Sequence, residues 1–160
     1  MSAINLPQFL AGKIRNAGNA LHDAVAKMPE DRISWHPETE GNQGRDALDQ
    51  ALECAYLNEW VAKGYRSGQM PPINWDEYKV ATDAKRNKTA ALAWLRSSTE
   101  ALASAIADFP ADKLGDVTID PVHDGKATTW ADFAIDLFVW NTVYHEGQVN
   151  YIQVLYGDMS

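Results

Sequence analysis

Residues 130–155 read WADFAIDLFVWNTVYHEGQVNYIQVL, and this stretch decides the fold. Its apolar residues recur at spacings of three and four, as they do along the buried face of an α-helix. They are Trp130, Phe133, Ala134, Leu137, Phe138, Tyr144, Ile152 and Leu155. Thr129 and Asp132 fit a capping box at the start, and Gly157 fits a C-cap at the end. The pattern predicts one long helix from about Thr129 to about Tyr156.

Three polar residues fall on the same face of this predicted helix: Asn141, His145 and Gln148. A polar group buried without a partner costs about 1–3 kcal/mol, so three in succession indicate a shared ion, ligand or water. Asn141 and His145 are four residues apart, which stacks them roughly 5–6 Å apart on one face, where both can address one ion. The sequence therefore predicts a polar site in the interior.

Three further segments show helical apolar periodicity. They run from about Pro7 to Lys27, from about Arg45 to Tyr65 and from about Val80 to Asp108. Pro29 and Pro110 follow the first and third and end them. Together with the C-terminal segment, they predict an all-α four-helix bundle. A chain of 160 residues is long enough to bury its own core, so we expect one domain over residues 1–160.

The predicted connections are long for such a bundle, at roughly 15 residues each against the usual two to eight. They comprise residues 29–44, 69–79 and 110–128. In the third, the β-branched run at Val117–Ile119 and the turn residues Asp124 and Gly125 predict a short extended excursion. Long connections of this kind often carry function.

Composition excludes several classes of function. The net charge is −8 and the basic residues are scattered, so nucleic acid would be repelled. The one local basic cluster, residues 85–88, is interpreted as a solvated helix face. Cys54 is the single cysteine, which excludes an internal disulfide and agrees with a reducing compartment. With no signal-like N-terminus and no run of about 18 apolar residues, we expect a soluble cytoplasmic protein without a membrane partner.

A metal is one partner that could satisfy the predicted polar site. Imidazole binds first-row metals through nitrogen, whereas asparagine offers only a neutral carbonyl oxygen, so the pair needs a third and better donor. Glu53 is the best candidate, because it lies in the middle of the second predicted helix with apolar neighbours on both sides. The predicted ligands are therefore Glu53, Asn141 and His145.

These residues resemble the DinB-like (DinB/YfiT-like) metalloenzymes, which are four-helix bundles. Members often carry Leu-x-Trp-x-Pro after the first helix, Leu-x-His-Leu-Ala in the second and His-x-x-x-His-x-Gly-Gln in the fourth. The corresponding segments here are Ile33-Ser-Trp35-His-Pro37, Ala51-Leu-Glu53-Cys-Ala55 and Asn141-Thr-Val-Tyr-His145-Glu-Gly147-Gln148. Order and spacing match over nearly the whole length. Glu53 and Asn141 stand where the family pattern has histidine.

The resemblance implies a divalent transition metal, Zn, Ni, Mn or Fe, held by Glu53, Asn141 and His145. It also implies an enzyme that transfers low-molecular-weight thiols or hydrolyses small molecules, and a homodimer. Gln148, Trp35 and His36 would then orient the ligands or contact the substrate. For His36 the alternative is an exposed loop histidine.

A non-catalytic alternative stays open from the residues themselves. A carboxylate at Glu53 bonded to His145, with amides from Asn141 and Gln148, would satisfy these groups without a metal. The protein would then serve binding or assembly, and whether it is an enzyme is left open. The tryptophans in helical segments are interpreted as core or interface packing. They are Trp60, Trp94, Trp130 and Trp140.

Overall fold

The computed structural model describes residues 4–39, 42–121 and 125–158. Its helices are α1 (Leu6–Lys27), α2 (Ala47–Ser67), α3 (Trp75–Asp83), α4 (Lys88–Ala107), α5 (Trp130–Asp136), a π-helical segment (Leu137–Val143) and α6 (Tyr144–Leu155). The last three are continuous and are called the C-terminal helix below. Short 3₁₀ turns lie at Glu30–Arg32 and Ala111–Lys113.

Two small antiparallel hairpins lie in the connections. β1 (Glu38–Thr39) pairs with β2 (Asn42–Gln43), and β3 (Val117–Asp120) pairs with β4 (Lys126–Thr129). The second hairpin confirms the extended excursion predicted for this connection. Gly125 immediately precedes β4 and has φ 70°, a left-handed conformation that favours glycine. Asp124, the other predicted turn residue, lies outside the described residues.

Four long helices form the bundle. α4 packs against both α1 and α2, and the C-terminal helix packs against the same two helices from the other side. The consecutive helices α1 and α2 make far less contact with each other, so they lie on a diagonal. The chain must cross one end of the bundle between them, which explains a connection longer than an up-and-down bundle needs. The predicted four-helix bundle with long connections is confirmed.

The prediction of one helix from Val80 to Asp108 is wrong, because the chain breaks between α3 and α4. Two asparagines cap the new helix starts. Asn74 accepts hydrogen bonds from the backbone N–H groups of Asp76 and Glu77, and Asn87 accepts one from Ala90 at 2.9 Å. An asparagine side chain satisfies N–H groups that a helix start leaves without partners, so it stabilises a new start over continuation.

The basic cluster between α3 and α4 is not the solvated helix face that was predicted. Arg86 donates to the carboxylates of Asp46 and Asp49 at 2.7 and 2.6 Å, at the start of α2. Lys88 donates to the carbonyl of Met28 at 2.5 Å, at the end of α1. The cluster therefore links the α3–α4 connection to the start of α2 and the end of α1 through ion pairs and a hydrogen bond.

The buried apolar residues form two clusters, one toward each end of the bundle. Trp60 and Leu137 belong to the first, and Leu52 and Val149 belong to the second. His145 lies between the two clusters along the C-terminal helix, whereas Glu53 lies on α2 within the stretch of the second cluster, beside Leu52 and Cys54. The polar site therefore borders the second cluster. No helix in the described ranges is long and apolar enough to cross a membrane.

Candidate functional site

A π-helical segment interrupts the C-terminal helix at the site. Over Leu137–Val143 the helix widens, and the hydroxyl of Thr142 donates to the carbonyl of Leu137, five residues earlier, at 3.2 Å. Each π-helical turn holds more residues than an α-helical turn, so the face of every later residue is rotated. The prediction of one regular helix is wrong in this detail. Tyr144 and Leu155, expected to be buried, are 54% and 43% exposed, whereas Val149 is buried.

Glu53 and His145 are brought together as predicted. Nε2 of His145, in the first turn of α6, lies 3.1 Å from Oε1 of Glu53 on α2. The imidazole is 4% exposed. Its other nitrogen, Nδ1, lies 2.7 Å from Oε1, the side-chain amide oxygen of Gln148, one turn later. Gln148 therefore holds the ring of a predicted ligand, which agrees with the orienting role predicted for it.

The protons on His145 decide what the pair can bind. If Nδ1–H donates to the Gln148 side-chain oxygen, a neutral ring keeps a lone pair on Nε2. That lone pair faces a carboxylate oxygen, which is also an acceptor. Two acceptors 3.1 Å apart repel each other unless a cation lies between them. In this tautomer the pair is a site for a positive charge, either a second proton on the ring or a metal ion; in the other tautomer Nε2–H donates directly to Glu53.

Arg45 completes the surroundings of Glu53 and was missed by the sequence reasoning. Its Nη2 lies 2.6 Å from Oε2 of Glu53 and also donates to the backbone carbonyl of Asp49. Burial alone would raise the pKa of the Glu53 carboxyl, but the hydrogen bond from His145 and the charge of Arg45 outweigh it. The pKa therefore lies below its usual value and Glu53 is ionised. Arg45 was predicted to begin the second helix but precedes α2, and the apolar pattern gave no reason to assign it to the site.

Asn141, the third predicted ligand, lies in the π-helical segment and lines the same cavity as Glu53. Its Oδ1 is buried and has no hydrogen-bond partner among the described residues. A buried carbonyl oxygen in that state calls for a donor or a cation. In the described part of the chain, no three His, Cys, Asp or Glu side chains are grouped to hold a metal ion. The Asn141 amide would therefore have to supply the third donor.

A cavity of about 350 Å³ opens beside Glu53 and Asn141. Its other lining residues are Leu57, Trp60, Trp75, Tyr78, Asp120, Phe133, Asp136, Leu137 and Trp140. A wider hollow of about 710 Å³ shares Asp120, Asp136 and Trp140 with it and extends toward the β3–β4 hairpin. Trp60, Trp94 and Trp130 are buried, whereas Trp140 is 71% exposed and is not a core residue, so of the two predicted roles only interface packing stays open for it. The cavity is large enough for a small organic molecule.

Trp35 and His36 lie away from this cavity. Trp35 packs edge-on against Tyr156, with ring centroids 5.9 Å apart, about three helical turns beyond His145. His36 is half-buried rather than an exposed loop histidine, and its Nδ1 lies 3.2 Å from the carbonyl of Ser34. Neither is among the described residues that line the cavity. Their predicted contact with ligands or substrate gains no support from this geometry.

Cys54, the neighbour of Glu53, is fully buried in the second apolar cluster. Burial raises the pKa of its thiol, so the group is neutral and behaves as a small apolar side chain. Cys54 is therefore a core residue. It does not take part in the site, and the site's ionisable side chains that could bind a metal are Glu53 and His145, which face each other.

Comparison with known proteins identifies the fold. No protein-family model and no curated protein matches the chain. Among solved structures, YfiT from Bacillus subtilis superposes with a TM-score of 0.74 over 98% of this chain and 91% of that one, at 13% identity. The chain has the DinB/YfiT-like fold. YfiT is described as "a probable metal-dependent hydrolase with an unusual four-helix bundle topology". At 13% identity the likeness to YfiT shows the fold alone.

Proposed function

We propose that this protein is a divalent-metal-dependent enzyme that acts on a small molecule bound in the cavity beside Glu53. Glu53, His145 and Asn141 would hold the metal. One observation carries the proposal: a histidine nitrogen and a carboxylate oxygen, two groups that can both bind a metal ion, face each other at 3.1 Å. The unpartnered Oδ1 of Asn141 adds a third acceptor on the same cavity.

The donor set fits a first-row transition metal. Two atoms that bind one such ion at about 2.0–2.2 Å are themselves about 3 Å apart, as these two are. One nitrogen and two oxygen donors suit Zn, Ni, Mn or Fe, with a weaker preference for zinc than three imidazoles would give. By accepting a hydrogen bond from Nδ1–H, Gln148 would favour the tautomer that leaves Nε2 free to bind, an arrangement that metal-binding histidines commonly have.

When bound, the metal would supply a Lewis acid that polarises a substrate carbonyl or activates water or a thiol. The chain's own residues would prepare the site. Arg45 keeps Glu53 ionised and fixed, Gln148 orients His145, and the walls of the cavity exclude water from a bound substrate. Hydrolysis is our preferred reaction, because YfiT is described as a hydrolase. Transfer to a low-molecular-weight thiol is the alternative.

Metal content tests the proposal directly. We expect protein purified without chelator, loaded with Zn²⁺, Ni²⁺, Mn²⁺ or Fe²⁺ and dialysed, to retain about one equivalent of at least one of them. His145→Ala should retain less than about a tenth of an equivalent, because it removes the nitrogen donor. His22→Ala is the matched control, since that histidine lies on α1 and contacts Asp23. Wild-type protein that retains no metal after loading would contradict the proposal.

A second candidate is a non-catalytic binding protein, and the ring of contacts around Glu53 favours it. If His145 carries two protons, it donates to both Glu53 and Gln148, and Arg45 satisfies the remaining carboxylate oxygen. The four side chains then satisfy one another without a metal. In that case metal content would be negligible for the wild type and both variants.

We further propose that the protein is a homodimer. Exposed apolar side chains follow the C-terminal helix and the start of α1, and such rows on soluble proteins mark association surfaces. They include Leu6, Phe9, Ile135, Val139, Val143 and Val154. Sedimentation should give a dimer mass for the wild type, and Val143→Glu should shift it to the monomer because it places a charge in the apolar row. A monomeric wild type at micromolar concentration would refute this arrangement.

A further inference from the structure

Five of the eleven described residues that line the cavity beside Glu53 are aromatic. Trp60 and Phe133 are buried and form its inner wall, and Trp75 and Trp140 are exposed and form its rim. Tyr78, which is half-buried, also lines the cavity. The face of an aromatic ring carries partial negative charge, and it attracts a cation that lies within about 6 Å of the ring centroid.

The aromatic wall is held in place by its own contacts. The ring of Tyr78 packs edge-on against Trp75, with centroids 5.8 Å apart, and against Tyr56 at 5.2 Å. The Tyr56 hydroxyl donates to the carbonyl of Asn74, the residue that caps α3. This side of the cavity is therefore formed before any ligand binds, which lowers the entropic cost of binding.

The charged residues of the wall are acids. Glu53, Asp120 and Asp136 line the cavity, and no lysine, arginine or histidine lines it among the residues that the structure describes. Arg45 and His145 already compensate Glu53 from outside the lining, and Asp120 lies opposite Lys126 in the β3–β4 hairpin. The whole chain carries a net charge of −8, which attracts cations to the protein as a whole and repels anions.

We propose that the cavity binds a small organic cation, an amine or quaternary ammonium compound whose charged end lies among the rings of Trp75, Tyr78 and Trp140. This inference rests on the proposed function for the site and names the class of its substrate. A volume of about 350 Å³ limits the ligand to a compact molecule. The aromatic rings supply the attraction, and the carboxylates exclude anionic molecules of the same shape.

Three probes of similar shape and different charge test the inference. They are choline, its neutral isostere neohexanol, and the anion tert-butylacetate (3,3-dimethylbutanoate). Tryptophan fluorescence and ligand-observed NMR would report binding, because Trp60, Trp75 and Trp140 line the cavity. We expect choline to bind at least about tenfold more tightly than neohexanol, and tert-butylacetate not to bind. Equal affinity for choline and neohexanol, or the absence of choline binding, would overturn the proposal.

Two variants locate the binding. Trp140→Ala should weaken choline binding about tenfold and leave neohexanol little changed, and the fold should survive because this side chain is exposed. Tyr151→Ala is the matched control, an exposed aromatic residue on the same helix that is not part of the described lining. If the control weakens choline binding as much as Trp140→Ala does, the cavity is not the site and the proposal fails.

Metal content measured on the same samples separates this inference from the proposed function. Choline binding without metal retention would remove the metal-dependent enzyme and leave the cation site standing. Metal retention without choline binding would overturn the cation site and leave the metal-dependent enzyme standing. Trp140→Ala should retain as much metal as the wild type, because Trp140 is not a proposed ligand.

Discussion

Replacing Glu53 with glutamine is expected to abolish most of the thermal stabilisation that a divalent transition metal gives the protein. The neutral amide cannot offer the anionic oxygen that faces Nε2 of His145 at 3.1 Å, so metal affinity should fall by about a hundredfold or more. A ligand at about a hundred times its dissociation constant stabilises a protein by about 2.7 kcal/mol. At that metal concentration, the wild type should unfold several degrees higher than without metal, and Glu53→Gln should show little shift.

Glu146→Gln is the control for this experiment. It removes the same charge from the residue beside His145, but Glu146 contacts Asn150 and not the pair. Its metal-dependent shift should equal that of the wild type. An undiminished shift in Glu53→Gln would remove Glu53 from the ligand set. No shift in any of the proteins would favour the non-catalytic candidate, in which Glu53→Gln only lowers stability because His145 and Arg45 lose a charged partner.

The sequence predicted the bundle because its four long helices bury regular apolar faces. α1 was placed within one residue at its start and correctly at its end, where Lys27 is followed by Met28 and Pro29. The break between α3 and α4 was missed, although residues 85–89 include no apolar side chain that would continue the periodicity. Two features decide the break. Asn87 caps the start of α4, and Arg86 makes tertiary contacts with α2. Such tertiary contacts override helix propensity and leave little mark in the sequence.

The same missed break builds one wall of the candidate site. Because α3 is a separate helix with its own cap at Asn74, Trp75 and Tyr78 can turn toward the C-terminal helix and line the cavity. The π-helical segment contributes the opposite wall, since it carries both Trp140 and Asn141. The pairing of Glu53 with His145 followed from spacing and burial. The aromatic cavity could not be predicted, because it depends on two departures from regular helix.

Gly18→Ala is expected to destabilise the protein, although alanine normally favours a helix. A Cβ at this position would lie 2.4 Å from Cγ2 and 2.5 Å from Oγ1 of Thr99 on α4, far closer than atoms can pack. Thr99 cannot simply turn away, since its hydroxyl accepts a hydrogen bond from Asn58, which is only 2% exposed. Overpacking at such a site costs about 1–3 kcal/mol, and an unpartnered Asn58 amide would add to it.

Gly12→Ala provides the matched control, because the same helix there has open space where the Cβ would lie. Removing a helical glycine should stabilise the protein by about 0.5–1 kcal/mol through the lower entropy of its unfolded chain. The two substitutions are chemically identical. If they change the free energy of unfolding in urea with opposite signs, the α1–α4 contact is the cause of the difference. A stabilised Gly18→Ala would mean that α1 and α4 can move apart at no cost. The close packing of these two helices would then not be what holds α4 between α1 and α2.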